Sequence, residues 1–312
     1  MRILIYGAGG IGGYFGGRLA QSGNSVSIIA RGKHLEAIKK NGLEVESING
    51  DFTITPSLAT DNVKEVETPE LIILGVKSWQ IPDAANELKS IINENSMVLP
   101  LQNGASNVEN LMKVLPETNI LGGLCHIVSF MSAPGLIKHA GIEPKITFGE
   151  LDNSKSARVL ELEKVFSEAE ITNIIPEDIT LEVWKKFLFI TTISALGGLT
   201  RVSLGEMRES SYLMDLMRKT AEEIKMIANA KGIALNEEHL KATFEVINKL
   251  DSKTTASTQR DIMEGKPSEL ENFNGYIVKQ GNRLGIPTPV NQYIYECLLP
   301  MEKQARMLAE SR

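Results

Sequence analysis

The chain has 312 residues, enough for two compact units, and its 42% hydrophobic and 23% charged residues exclude a disordered or fibrous protein. Thirty-three basic against thirty-nine acidic side chains give a net charge of −6, and aromatics make up only 5%, so a chain built to coat nucleic acid is excluded while one local basic pocket is not. Cys125 and Cys297 form no disulfide framework and no Cys-x-x-Cys pattern, and the four histidines show no metal-ligand spacing. No metal and no membrane are expected. The longest apolar stretch, Phe187 to Leu199, has 13 residues, short of the roughly 18 a span needs. The opening apolar run meets glycine at residue 7, too early for a signal peptide, and a reducing cytoplasm is the expected compartment.

In chain order, Ile3–Tyr6 reads as a strand and Gly10–Ser22 as a helix closed by Gly23. Val26–Ala30 is a second strand, and Leu35–Asn41 a helix stopped by Gly42. Leu71–Val76 and Val98–Leu101 are continuous apolar strands, each followed by helix-compatible sequence. Such strands separated by helices predict a mostly parallel sheet buried on both faces. Residues 43–60, 119–130 and 136–149 are strand-like, with turns at Asn49-Gly50 and Pro134-Gly135, and Lys155–Glu168 and Ile171–Ile175 complete this half. From Pro176 the pattern becomes helical: 181–199, 210–231, 237–250, 258–263, 269–284 and 289–309. Asn236 is an expected N-cap, Ser268-x-x-Glu271 an expected capping box, and Pro300 should kink or divide the last helix. The expected architecture is an α/β Rossmann-type domain, residues 1–175, followed by an all-α domain, residues 176–312.

Gly7-Ala8-Gly9-Gly10-Ile11-Gly12 is a Gly-x-Gly-x-x-Gly after a strand and at the start of a helix. Gly7 permits the tight turn, Gly9 lets backbone approach a pyrophosphate, and Gly12 lets helix and strand pack closely, while the amides around Gly10 face the negative charge. A pure packing joint is the alternative. Nineteen residues beyond Gly12, where an NAD enzyme places an acid for the ribose hydroxyl, stands Arg31, with Lys33 and His34 beside it. A guanidinium there pairs with a 2′-phosphate, which predicts NADP(H); a solvated arginine is the alternative.

Two strand ends carry polar groups, Val76-Lys77-Ser78-Trp79 and Gln102-Asn103-Gly104. Lys77 could hold a phosphate or a substrate anion, or be a surface lysine, and Asn103 could donate to a substrate oxygen or simply make a turn. The segment Trp184-Lys185-Lys186-Phe187 opens a helix with no further charge through Thr200. A lysine on such a helix must reach water, find an acid or line a cleft. Lys186, Ile190, Ser194 and Gly197 share one face, with Lys185 about 100° away.

With the glycine loop, Arg31, Val76-Lys77-Ser78-Trp79-Gln80, Gln102-Asn103-Gly104, Trp184-x-Lys186, Ser257, Asp261-Ile262 and Glu269 in this order, the chain resembles the ketopantoate reductases (2-dehydropantoate 2-reductases). The resemblance implies a Rossmann-type NADP domain followed by a helical domain, and NADPH-dependent reduction of a 2-keto acid, ketopantoate, to the 2-hydroxy acid pantoate on the route to pantothenate and coenzyme A. It implies that Lys186 is the general acid, that Glu269 binds substrate and positions the active-site groups, that Ser257 and Ser194 contact substrate, and that Asn103 lies near nicotinamide and substrate. Proton donation to the alkoxide that forms as hydride arrives is sound chemistry for an ammonium group.

The sequence departs from the family where asparagines are expected, with Ile190, Ser194, Leu204 and Thr254 in their places. Thr191, Thr192, Arg201 and Arg260 are candidate replacements. Fewer amides should relax or redirect selectivity, so two alternatives accompany the ketopantoate reading: a paralogous reductase of a more apolar keto acid, and a non-enzymatic NADP(H)-binding regulator. The helical half also offers a surface for self-association, a homodimer being the simplest form.

Overall fold

A computed structural model describes residues 1–310, and the chain divides into two compact units, one of residues 1–102 and 107–182, the other of residues 103–106 and from 183 onward. In the first unit the elements are β1 (Arg2–Tyr6), α1 (Gly10–Gln21), β2 (Ser25–Ile29), α2 (Gly32–Asn41), β3 (Leu43–Ser47), β4 (Phe52–Ile54), β5 (Leu58–Thr60), β6 (Leu71–Leu74), α3 (Ile81–Leu88), β7 (Met97–Pro100), α4 (Asn107–Met112), β8 (Gly122–Ala133), β9 (Leu136–Gly149), α5 (Ala157–Glu168) and β10 (Thr172–Ile174).

Five strands pair in the order β5-β2-β1-β6-β7, all parallel. Strands β6 and β7 are buried at every position, which is why they read as unbroken apolar runs. Alternate residues feed two cores. Ile3, Ile5, Val26, Ile28 and Ile73 meet Tyr14, Phe15 and Leu19 of α1 on one face. Leu4, Tyr6, Ile29, Ile72 and Leu74 meet Ile81, Ala85 and Leu88 of α3 on the other. A second, mixed sheet runs β10-β9-β3-β4, with β8 antiparallel to β9. It is made from the segments that read as strand-like, and it supplies Val45, Ile137 and Phe148 to the first core.

Helix α6 (Ile179–Thr200) leads into the second unit, which continues with α7 (Leu204–Glu209), α8 (Ser211–Ala230), α9 (Glu237–Lys249), α10 (Ser257–Met263), a π-helical turn at Glu271–Gly275, α11 (Tyr276–Leu284) and α12 (Pro289–Glu310). Residues 191–198 are buried without exception, as the uncharged run requires. The Rossmann-type and all-helical halves therefore stand as expected from the sequence.

Three local expectations are corrected. Helix α12 runs on past Pro300 as one element, so the proline does not divide it. The segment 269–284 is not one helix but begins with the π turn. The Ser268/Glu271 capping box does not form, because Ser268 donates its N–H and its hydroxyl to Glu302 of α12, 34 residues away. Among the described residues no helix is long and apolar enough to cross a membrane, and no group of three or more His, Cys, Asp or Glu could hold a metal ion.

Candidate active site

In the first unit the three fingerprint glycines have separate physical reasons. Gly7 adopts φ +98°, and a Cβ there would lie 2.6 Å from Val76 and 2.9 Å from its backbone nitrogen. At Gly12 a Cβ would stand 2.1 Å from the Gly7 carbonyl oxygen, so this glycine seals helix to strand. Gly9 is different. Its φ of −68° and ψ of −164° suit any residue, and the nearest atom to a Cβ is Gly75 O at 3.9 Å. The protein's own packing does not demand glycine there, whereas a pyrophosphate drawn against the helix start would. Helix α1 has no acidic residue in its first turn and no side chain capping it, which leaves its amide end to an anion. Gly10 packs inward, its Cβ position 2.3 Å from Ser129 O of β8. The residues present thus fit a dinucleotide.

Arg31 is the N-cap of α2 at the end of β2, with its side chain 66% exposed. One carboxylate does approach it, from a part of the chain that the local sequence did not suggest. Glu87 of α3 lies 3.6 Å from the guanidinium and accepts a 2.6 Å hydrogen bond from Tyr6. Burial and the Glu87 contact raise the Tyr6 pKa, so the phenol stays a donor. An exposed ion pair of this kind contributes about 0–1 kcal/mol, little enough for a phosphate to displace it. Lys77 follows β6, with its ammonium 5.7 Å from the Trp79 ring centroid and its backbone N–H bonded to Gln80 Oε1. His34 does not project freely toward a phosphate. Its ring lies between Ala8 O, at 2.8 Å, and the Gly135 N–H, at 2.9 Å.

In the second unit Lys186 is half-buried on α6, as is Lys185. Phe187, the next residue, packs edge-on against Phe273 and Tyr276 at ring-centroid distances of 6.2 and 6.0 Å. That contact brings the turn of α6 around Phe187 to the π turn that follows Glu269. Glu269 is 5% exposed, and its carbonyl accepts the N–H groups of Asn272 and Phe273. Its predecessor Ser268 is held at every polar atom: Glu302 takes its N–H at 3.1 Å and its hydroxyl at 2.5 Å, while Arg306, paired with Glu302 at 2.7 Å, donates to its carbonyl at 3.0 Å. Nothing in the local residue pattern signals this clamp, whose carboxylate lies 34 residues away.

Farther along α6, Gly197 and Gly198 admit α10, with Cβ positions 2.6 Å from Gln259 Oε1 and 2.7 Å from Ile262 Cδ1. Ser257 opens α10 and is half-buried. The hydroxyls of Ser194, Thr191, Thr192 and Thr258 are buried with no hydrogen-bond partner. Of the positions expected to hold asparagine, Leu204 belongs to the apolar core at 1% exposure and bonds through its N–H to Thr254 O, while half-buried Ile190 packs on the same core. Arg260 turns back to Thr255, and Arg201 takes φ +60° just past α6. Asn103 is half-buried in the segment grouped with this unit, and Gly104 after it has φ +121°, within a bend of the chain over residues 102–106. The buried amide of the preceding Gln102 makes no hydrogen bond.

The ketopantoate reductase PanE/ApbA profile matches residues 3–153 and its C-terminal counterpart residues 178–302. The chain is 30% identical to 2-dehydropantoate 2-reductase of Pyrococcus abyssi, covering 95% of this chain and 96% of that one. It is 28% identical to the uncharacterized oxidoreductase YkpB of Bacillus subtilis, over 97% and 100%. The crystal structure of a PanE/ApbA family ketopantoate reductase from Ralstonia eutropha JMP134 superposes with a TM-score of 0.90 at 27% identity, over 98% and 100%. The chain belongs to the ketopantoate reductase family, NADPH-dependent oxidoreductases that act on CH–OH groups.

Proposed function

We propose that the chain reduces 2-dehydropantoate (ketopantoate) to pantoate with NADPH, on the route to pantothenate, in the cytoplasm. The observation that carries the chemistry is Lys186, a half-buried cation two turns into α6, on a helix that carries no further charge after it and is fully buried over residues 191–198. The near full-length similarity to the Pyrococcus abyssi reductase supports the substrate.

In this reading the first turn of α1, at Gly9 and Gly10, holds the pyrophosphate, Arg31 holds the 2′-phosphate, and Lys77 meets an anionic group at the end of β6. Bound NADPH supplies a hydride to the substrate's carbonyl carbon. Lys186 works on the oxygen. Its ammonium donates a hydrogen bond to the ketone, stabilises the negative charge that builds there, and passes over a proton to complete the hydroxyl. Water returns the proton to the amine. Glu269 binds the substrate's hydroxyl end and orients the amine, and Ser257, Ser194 and Asn103 hydrogen-bond the remaining polar atoms.

Purified protein should oxidise NADPH when given ketopantoate, and absence of turnover at millimolar substrate removes that assignment. Lys186→Ala should lower kcat by about 10²- to 10⁴-fold and leave the Kd for NADPH unchanged. An undiminished rate would refute the acid role.

One observation favours a second reading, in which the substrate is a more apolar 2-keto acid. Ile190 shares the Lys186 face and brings no hydrogen-bonding group to it. A panel of keto acids compared by kcat/KM separates the two, because a pocket lacking partners for the second hydroxyl of ketopantoate gains nothing from that group.

A further inference from the structure

His34 has both ring nitrogens engaged, and the partners fix its state. Ala8 O can only accept, so Nε2 carries the proton; the Gly135 N–H can only donate, so Nδ1 is bare. The imidazole is therefore neutral and spans three parts of the first unit: α2, the glycine loop, and the turn between β8 and β9. That turn is itself docked. Gly135 adopts φ +80°, its Cβ position is 2.9 Å from Ala37 Cβ of α2, and its carbonyl accepts the Glu44 N–H at 2.9 Å.

The consequence lies in the Ala8–Gly9 peptide. A peptide unit is planar and trans, so its C=O and N–H point in opposite directions. Tying Ala8 O to His34 turns the Gly9 N–H away from α2. Of the two torsions that turn this plane, ψ of Ala8 and φ of Gly9, the second belongs to a glycine and is only weakly restricted by its own sterics. The same hairpin backs the loop at two further points, since Cβ positions at Gly10 and Gly13 would meet Ser129 O at 2.3 Å and Ile137 Cγ1 at 2.6 Å.

We infer that His34 is a positioning residue for dinucleotide binding: it locks the Ala8–Gly9 peptide in the orientation that receives the pyrophosphate, using the docked hairpin turn as its second anchor. The inference rests on the glycine loop being the pyrophosphate site. It also sets His34 apart from Arg31, three residues earlier on the same helix. Arg31 concerns the 2′-phosphate alone, whereas an oriented loop amide serves every dinucleotide alike.

The test uses the full chain and three ligands: NADPH, NADH and adenosine 2′,5′-bisphosphate, which keeps the 2′-phosphate but lacks the pyrophosphate. His34→Leu should weaken NADPH and NADH by the same factor, about fivefold, the equivalent of one neutral hydrogen bond of about 1 kcal/mol. Its Kd for the bisphosphate should stay at the wild-type value, which a general loosening of the site would not allow. His34→Gln, whose amide can still donate to Ala8 O, should recover part of the loss, and it carries the test if the leucine variant does not fold. Wild-type dinucleotide affinities in both variants overturn the inference, as does a loss confined to NADPH or shared by the bisphosphate. Failure of the wild-type protein to bind either dinucleotide would instead overturn the reading of the loop, and the inference with it.

Discussion

Replacing Gly9 by alanine should separate binding from stability. At φ −68° and ψ −164° the residue needs no glycine-specific backbone, and the new methyl would find only Gly75 O, at 3.9 Å. Removing a glycine from the unfolded chain stabilises by about 0.4–1 kcal/mol, and alanine is a poorer N-cap than glycine by a similar amount. The two nearly cancel, so the thermal midpoint should barely move. Binding is another matter. The methyl occupies the space through which a pyrophosphate oxygen reaches the helix amides, and losing one charge-assisted hydrogen bond costs about 1.5–3 kcal/mol, roughly 10- to 150-fold in Kd. Gly12→Ala is the control, because its methyl would stand 2.1 Å from Gly7 O and 2.9 Å from Ile5 Cγ2. Backbone has to move, at about 1–3 kcal/mol or more. Thermal melts without nucleotide, paired with NADPH fluorescence titrations, measure both effects. If Gly9→Ala binds NADPH within twofold of wild type, the pyrophosphate does not lie against Gly9 and the account of the loop is wrong.

Other substitutions test other parts. Arg31→Ala should weaken NADPH by about 5- to 30-fold, the value of a solvent-exposed guanidinium–phosphate contact of about 1–2 kcal/mol, and leave NADH nearly unchanged; equal losses in paired titrations would count against 2′-phosphate recognition. Glu302→Ala should destabilise the second unit by about 2–4 kcal/mol, measured by urea unfolding, because it strips the Ser268 N–H and hydroxyl of their acceptor and removes the carboxylate that pairs with Arg306. In the first unit, burial pushes the Glu150 carboxyl up, but hydrogen bonds from Arg158 and Ser156 outweigh it and hold the pKa below the ordinary carboxylate value. A depressed carboxyl contributes its stability in full above that ordinary value and loses it as pH falls through the folded one. Arg158→Ala should therefore cost about 2 kcal/mol near neutrality, less than a fully buried pair because the arginine is 30% exposed. The gap from wild type should narrow between pH 6 and pH 3 in urea titrations, and a gap that stays constant would assign the effect to packing.

What could be read from the chain was what is encoded locally. Strands β6 and β7 announce themselves because burial on both faces demands unbroken apolar runs, and α2 ends where Gly42 supplies φ +82°. The second sheet was less visible, since β3 pairs in parallel with β9 across more than ninety residues, and no local pattern specifies such a partner. Side-chain chemistry followed the same division. Arg31 could be found by counting from the glycine loop, but Glu87, which pairs with it, arrives from α3 by way of the tertiary fold. Ser268 misled for the same reason: the capping-box spacing is present, yet a buried carboxylate on α12 competes for its N–H and hydroxyl and wins. His34 was legible only as a neighbour of Arg31, and the tertiary fold sets its ring nitrogens against Ala8 O and the Gly135 N–H.

The missing asparagines acquire a physical meaning once the second unit is built. They suggested a pocket stripped of polar groups, yet α6 and α10 bury four hydroxyls, those of Thr191, Thr192, Ser194 and Thr258, with no partner from the protein. Ser194 sits two turns beyond Lys186 on the same face, and Thr258 adjoins Ser257 on α10, which is joined to α6 at Gly197. Hydroxyls reach less far than amides and offer one donor instead of two. Serine in place of asparagine at 194 leaves more room and one donor fewer, whereas isoleucine at 190 fills its place with apolar bulk and brings no polar group. If that exchange sets selectivity, Ile190→Asn together with Ser194→Asn should raise kcat/KM for ketopantoate relative to a branched apolar 2-keto acid. An unchanged ratio would mean that these two positions do not touch the substrate.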